Sequence, residues 1–186
     1  MILSIIYLTL LSFLPGSMNE PGIDYSPRLL HKELSSIFGS GDYSMTEFAG
    51  EDVSAGSSLT SGKFFSIRSA EGENIIVYIG RVNSCRAGGC TNPSLTGMDA
   101  ESEYFDYFIL FDSERRVKLV RVYNYAATHG QEVAVKRWLD QFAGHDGAKP
   151  LRAGKEIDGI SGATISVNAI VADVNEKIML LNKQKT

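Results

Sequence analysis

The chain has 186 residues, enough for one domain with a sizeable core but not for two independent ones. With 44% hydrophobic residues, 22% charged residues and 18 glycines, it is a globular chain with many turns, neither disordered nor fibrous. A net charge of −4, with no block of Lys and Arg to offset it locally, argues against nucleic acid as a partner.

Residues 2–14 are almost wholly apolar and the first charged side chain is Glu20. This is the pattern of a secretory h-region closed by Pro15-Gly16-Ser17, so a leader over residues 1–17 is expected. Crossing a bilayer takes about 20 apolar residues, more than this run supplies. No Lys or Arg precedes it, and the alternative is a buried N-terminal strand or helix. No cysteine stands near Gly16 to carry a lipid anchor. Export would place the rest of the chain in the periplasm or outside the cell, soluble or held near a membrane by partners.

Residues 18–42 read as a connector followed by an N-terminal helix. Pro27 suits the first helical position after Ser26. Leu30, Leu34, Ile37 and Phe38 then recur at helical spacing until Gly39-Ser40-Gly41 stops them. Residues 43–62 are rich in Gly, Ser and acidic side chains and read as loop with room for one short strand. β-branched and aromatic residues predict strands over Phe64–Arg68 and Asn74–Val82, with Ala70-Glu71-Gly72-Glu73 as their turn. A second hairpin is predicted from Tyr104–Phe111 and Val117–Tyr125, joined by Asp112-Ser113-Glu114-Arg115. Val135, Trp138, Leu139 and Phe142 place a helix over Gln131–Ala143, ended by Gly144, and residues 147–157 form a loop. Val167, Ile170, Val171, Val174, Ile178 and Leu181 mark one face of a long C-terminal helix. Hairpin-paired strands between helices make an α+β domain over residues 43–186, on a mostly antiparallel sheet with an N-terminal, a middle and a long C-terminal helix.

Several residues could carry chemistry. Asp158-Gly159-Ile160-Ser161-Gly162-Ala163-Thr164 opens the last helix. Asp158, Ser161 and Gly162 suit a turn, Ser161 can cap, and Thr164 then falls about one turn in, near unpaired backbone N–H groups that favour phosphate. The bland alternative is a cap and an ordinary first-turn threonine. Cys85 and Cys90 enclose Arg86-Ala87-Gly88-Gly89, short enough to close as a disulfide in an exported protein. A redox-active pair, with Arg86 favouring a thiolate, is the sharper alternative. No metal is expected, since two thiols without a histidine at ligand spacing make a poor zinc site. Gly88 and Gly89 lack the spacing and following helix of a phosphate loop. His129 sits between strand and helix, either as a loop residue or as a cofactor contact. Trp138 and Phe142 fit a core better than a stacking platform, and His31 and His145 read as surface residues.

The order Asp-x-x-Ser-Gly-Ala-Thr at this helix entrance resembles the flavinylation motif of the FMN-binding domain family. That family includes the C subunit of sodium-pumping NADH:quinone oxidoreductase and the G subunit of Rnf complexes. The second hairpin with the following Thr128-His129-Gly130 is similar to the family's strand pair and its Thr-x-Gly loop. The resemblance implies FMN joined through its phosphate to Thr164 by an FAD-dependent flavin transferase. Asp158, Ser161, Gly162 and Ala163 would then serve turn geometry, access and recognition, and Thr128, His129 and Gly130 would contact the flavin. The larger family members carry an acidic residue just before Thr-x-Gly, where this chain has Ala127. The function implied is an exported electron carrier working with membrane or external redox proteins, rather than a stand-alone enzyme. The alternatives are a small flavin-dependent reductase using Cys85 and Cys90, or an exported binding module without flavin.

Overall fold

The computed structural model describes residues 22–39, 42–47, 60–84 and 103–183; the expected leader and both Cys85 and Cys90 lie outside them. Helix α1 (Arg28–Phe38) precedes five strands: β1 (Tyr43–Glu47), β2 (Thr60–Ser69), β3 (Asn74–Asn83), β4 (Tyr104–Phe111) and β5 (Val117–Tyr125). A 3-10 turn (Gln131–Ala134), the short helix α2 (Lys136–Leu139), a second 3-10 turn (Asp140–Phe142) and the long helix α3 (Thr164–Lys183) follow. The strands form one antiparallel sheet in the order β1-β2-β3-β4-β5, the α+β architecture that the sequence predicts.

Alternation along the strands divides the sheet into two faces. Phe64, Tyr78, Phe105, Tyr107, Ile109 and Phe111 pack with α3 and the short helices, whereas Phe65, Ile67, Val77, Ile79, Phe108 and Leu110 pack with Leu30 and Leu34 of α1. Strand β4 is therefore covered on both sides, and all eight of its residues are buried. Two bulges keep β5 in step with β4. Val117 opposes Phe111 but Leu119 opposes Leu110, and Val122 opposes Tyr107 but Asn124 opposes Asp106, leaving Lys118 and Tyr123 as the extra residues. The predicted stripe of α3 is wholly inward: Val167, Ile170, Val171, Val174, Ile178 and Leu181 are buried. Each such side chain contributes about 1.5–3 kcal/mol when removed from water.

The short strand for which residues 43–62 left room is β1, where Tyr43–Glu47 pairs in register with Phe65–Ser69. The structure corrects two local expectations. The helix expected over Gln131–Ala143 is broken at Val135, which is extended (φ −69°, ψ 121°) and 53% exposed. The break lets Val133 enter the core beside Trp138 and Leu139, where an unbroken helix would have aimed Val135. His31 and His145 are half-buried rather than surface residues, and His31 hydrogen-bonds Ser26 (2.6 Å) and the Tyr43 hydroxyl.

Polar groups are buried on both faces, several of them in pairs of opposite charge. Under α3, Tyr107 donates to the Asp173 carboxylate, and Lys177 Nζ lies 3.1 Å from Asp173 Oδ1. Burial raises the pKa of Asp173, opposed by the nearby Lys177 ammonium. On the α1 face, Arg81 forks onto Asp106 at 2.7 and 3.1 Å, with Asn124 donating to the same carboxylate at 2.9 Å. Arg121 joins Glu33 of α1 (3.0 Å) to Asp140 of the second 3-10 turn (2.9 Å), tying the two layers across β5.

Candidate functional site

The entrance to α3 is set by glycine. Gly162 is left-handed (φ 84°), so the chain turns sharply there and the helix starts at Thr164 itself, not a turn earlier as expected. Ala163 precedes the helix, is buried, and its carbonyl accepts the first helical hydrogen bond from Val167 N–H at 2.9 Å. The cap position therefore belongs to Ala163, which has no side-chain oxygen. Ser161 stands two residues further out on the exposed turn, and its hydroxyl makes no hydrogen bond with the described residues. The first N–H groups of α3 are left without intrahelical acceptors, and the exposed hydroxyl of Thr164 stands at the positive end of a 20-residue helix.

The stretch ahead of Thr164 is clamped by its backbone. Trp138 Nε1 donates to the Asp158 carbonyl at 2.9 Å, and Asp158 N–H donates to Gln141 Oε1 at 2.9 Å. Trp138 is thus a core residue, as expected, with a polar tip that orients this stretch. The Asp158 side chain remains exposed. A pocket of about 470 Å³ opens beside it, lined by Ala153, Gly154, Gly159, Ile160, Thr164 and Asn168 among others. Its outer wall is a tight turn in which Gly154 N–H donates to the Ile157 carbonyl (2.7 Å) and Arg152 grips Glu156 at 2.7 and 3.1 Å. The hydrogen bonds from Arg152 pull the Glu156 carboxyl down to a pKa of about 2.

The Thr128-His129-Gly130 loop reaches the same helix end. Gly130 is left-handed (φ 83°), and a Cβ there would stand 2.7 Å from Ser166 Oγ and 3.1 Å from the Tyr125 hydroxyl. Only glycine lets the loop lie this close to the first turn of α3. Tyr125 donates to the His129 carbonyl at 2.5 Å, and burial raises its pKa, which keeps the phenol a donor. Ser166 Oγ is 3.4 Å from that hydroxyl and 2.7 Å from Ser84 Oγ, linking the loop to the end of β3. On the other side, the Thr128 N–H (3.3 Å) and hydroxyl both donate to the Glu103 carboxylate, which is itself buried.

Glu103 is the site residue that the sequence reading missed. Position 127 carries a buried alanine, and the acidic group comes instead from the residue before β4. Strand register is the signal that could have found it: Phe105 pairs with Tyr125, and Ala126 N–H donates to the Tyr104 carbonyl at 2.9 Å, so continuing the ladder puts residue 103 beside residues 127 and 128.

Folding therefore brings Thr164 and the Thr128 loop to one end of α3, with Ser166 as the residue between them. These groups suit FMN: an exposed hydroxyl and unpaired N–H groups for a phosphate, a glycine cradle, and an adjoining pocket. Residues 104–178 match the FMN-binding domain family. No curated protein and no solved structure matches the chain. The matched stretch runs from the first residue of β4 into the last turns of α3, and so contains both the loop and the threonine motif. The match supports a flavin-binding module over the flavin-free alternative. From β4 to α3 the chain matches the FMN-binding domain family, and that match indicates FMN as the cofactor.

Proposed function

We propose that FMN is held covalently, its phosphate joined to the Thr164 hydroxyl, and that the protein is an electron carrier. The observation that carries this reading is the position of Thr164: exposed, first in a long helix whose inner face is buried, and on the rim of the pocket, within the stretch that matches the FMN-binding domain family. Attachment is a phosphoryl transfer from FAD. Thr164 Oγ1 attacks the pyrophosphate phosphorus on the flavin side, a new Oγ1–P bond forms, the P–O bond to AMP breaks, and the hydroxyl proton is released. An FAD-dependent flavin transferase is the partner for this step. The exposed side chains of Asp158 and Ser161 give it a recognition surface, and Gly162 and Ala163 leave the approach open.

Bound FMN supplies one- and two-electron redox chemistry. The residues of this chain bind and orient it: the N-terminal end of α3 offsets the phosphate charge, and Thr128, His129 and Gly130 border the flavin. Export through the apolar segment at residues 2–14 would bring the carrier to redox proteins in or outside a membrane, with no role for nucleic acid.

The test is to co-express the full chain with an FAD:protein FMN transferase along a secretion route and measure intact mass after denaturation. The expected result is a yellow protein whose mass gain of one FMN moiety survives unfolding, and Thr164→Ala should lose it entirely. Covalent flavin retained in Thr164→Ala would refute the assignment.

A further inference from the structure

We propose that Glu103, acting through the Thr128 hydroxyl, fixes His129 as the tautomer protonated on Nδ1, so that Nε2 is a hydrogen-bond acceptor for the bound FMN. The inference rests on the reading of residues 128–130 as flavin contacts, and adds a residue and a direction of hydrogen bonding to it. The argument is one of proton counting. A threonine hydroxyl has a single hydrogen to give. The Thr128 hydroxyl gives it to the Glu103 carboxylate, which also takes the Thr128 N–H at 3.3 Å. Toward His129 Nδ1, 2.8 Å away, the same oxygen can then only accept. Nδ1 must therefore carry the hydrogen, and in the neutral ring Nε2 is left with its lone pair.

The surroundings hold the ring to that role. The His129 carbonyl is fixed by the Tyr125 hydroxyl at 2.5 Å, and Gly130 locks the loop against Ser166, so the backbone on either side of the imidazole is immobilised while the side chain stays exposed. Among the described residues the charged and titratable groups around the loop are Glu103, Tyr125 and Glu132, and none of these competes with Thr128 for Nδ1 in a hydrogen bond. FMN offers donors of the matching kind in its ribityl hydroxyls and its ring N–H. Glu103 is a positioning residue in this scheme: it touches Thr128, and Thr128 sets the histidine.

Ring-nitrogen NMR of the folded full chain reads the tautomer directly, and with three histidines in the sequence His129→Gln identifies the signal. The expected spectrum has the His129 proton on Nδ1. Thr128→Val should return it to Nε2, and Thr128→Ser, which keeps the hydroxyl, should restore Nδ1. A wild-type ring protonated on Nε2, or one that Thr128→Val leaves unchanged while Thr128→Ser behaves alike, would overturn the proposal. Titration with free FMN gives the second arm. The His129 nitrogens should shift while those of His31 and His145 stay; FMN binding that leaves the His129 ring unmoved also overturns it. Failure of covalent attachment at Thr164 is read separately by intact mass and does not alter either tautomer result.

Discussion

The two arms of the proposed flavin site are held in opposite ways. In the Thr128 loop the side chains themselves are spent on fixing the structure: Thr128 binds Glu103 and His129, Tyr125 binds the loop carbonyl, and Gly130 leaves no room against Ser166. In the Asp158–Thr164 arm the backbone is fixed, through Trp138 and Gln141, while the side chains of Asp158, Ser161 and Thr164 remain exposed. On the proposed function the difference has a purpose: a loop presenting a constant surface to a cofactor uses up its polar groups, and a segment reached by a transferase keeps them exposed.

The sharpest way to break this contrast is to add one methyl group to each arm. Gly130→Ala meets Ser166 and also strains a left-handed backbone, so a loss of about 3 kcal/mol is expected from overpacking and backbone together. Gly162→Ala, at a similar φ but with nothing within 4 Å, should lose only about 1 kcal/mol. Denaturant unfolding of the two variants compares them, and equal losses would mean that the arms are equally loose. Trp138→Phe removes the indole donor to Asp158 and should cost about 1–2 kcal/mol. Its larger effect is expected on FMN attachment, because the released turn no longer presents Thr164 in one place. A variant with full attachment would show that the clamp serves folding alone.

Much of the fold was legible because its signals are local and repeated. The α3 stripe declares itself over six aliphatic positions, and β4 reads as a strand since a segment buried on both faces is apolar almost throughout, Asp106 being its one charged residue. The failures are long-range or depend on backbone sign. Val135 fits a helical stripe in sequence, yet Val133 takes the core position, a choice made by the tight approach of the chain from Gly130. Thr164 could be placed at the helix entrance but not in its first position, since that depends on a left-handed Gly162. Glu103 lies 25 residues from Thr128, and nothing short of strand register connects them.

The smallest expected effect lies on the rim of the pocket. Glu156 lies at the surface, yet its hydrogen bonds to Arg152 lower its pKa to about 2 from an ordinary 4.5. The sign follows from the depressed value. The link is present above the ordinary carboxylate range and is lost as pH falls through about 2, so at neutral pH it is intact. An NMR titration should find the Glu156 midpoint near that value, returning to the ordinary range in Arg152→Gln with little change in stability at neutral pH. A midpoint unmoved by the substitution would show that Arg152 is not its cause.

That the proposed attachment point is the first residue of α3 couples the cofactor to the core by rotation as well as by distance. Each helical residue advances about 100° and about 1.5 Å, so the three steps from Thr164 to Val167 fix the angle at which the hydroxyl leaves the protein. Val167 is locked beneath the sheet, and Thr164 inherits that angle in the manner of a pointer on a shaft. A carrier built this way has a tether without swing. Variation in how closely its flavin approaches a redox partner then comes from the docking of the partner, and hardly at all from the protein that bears it.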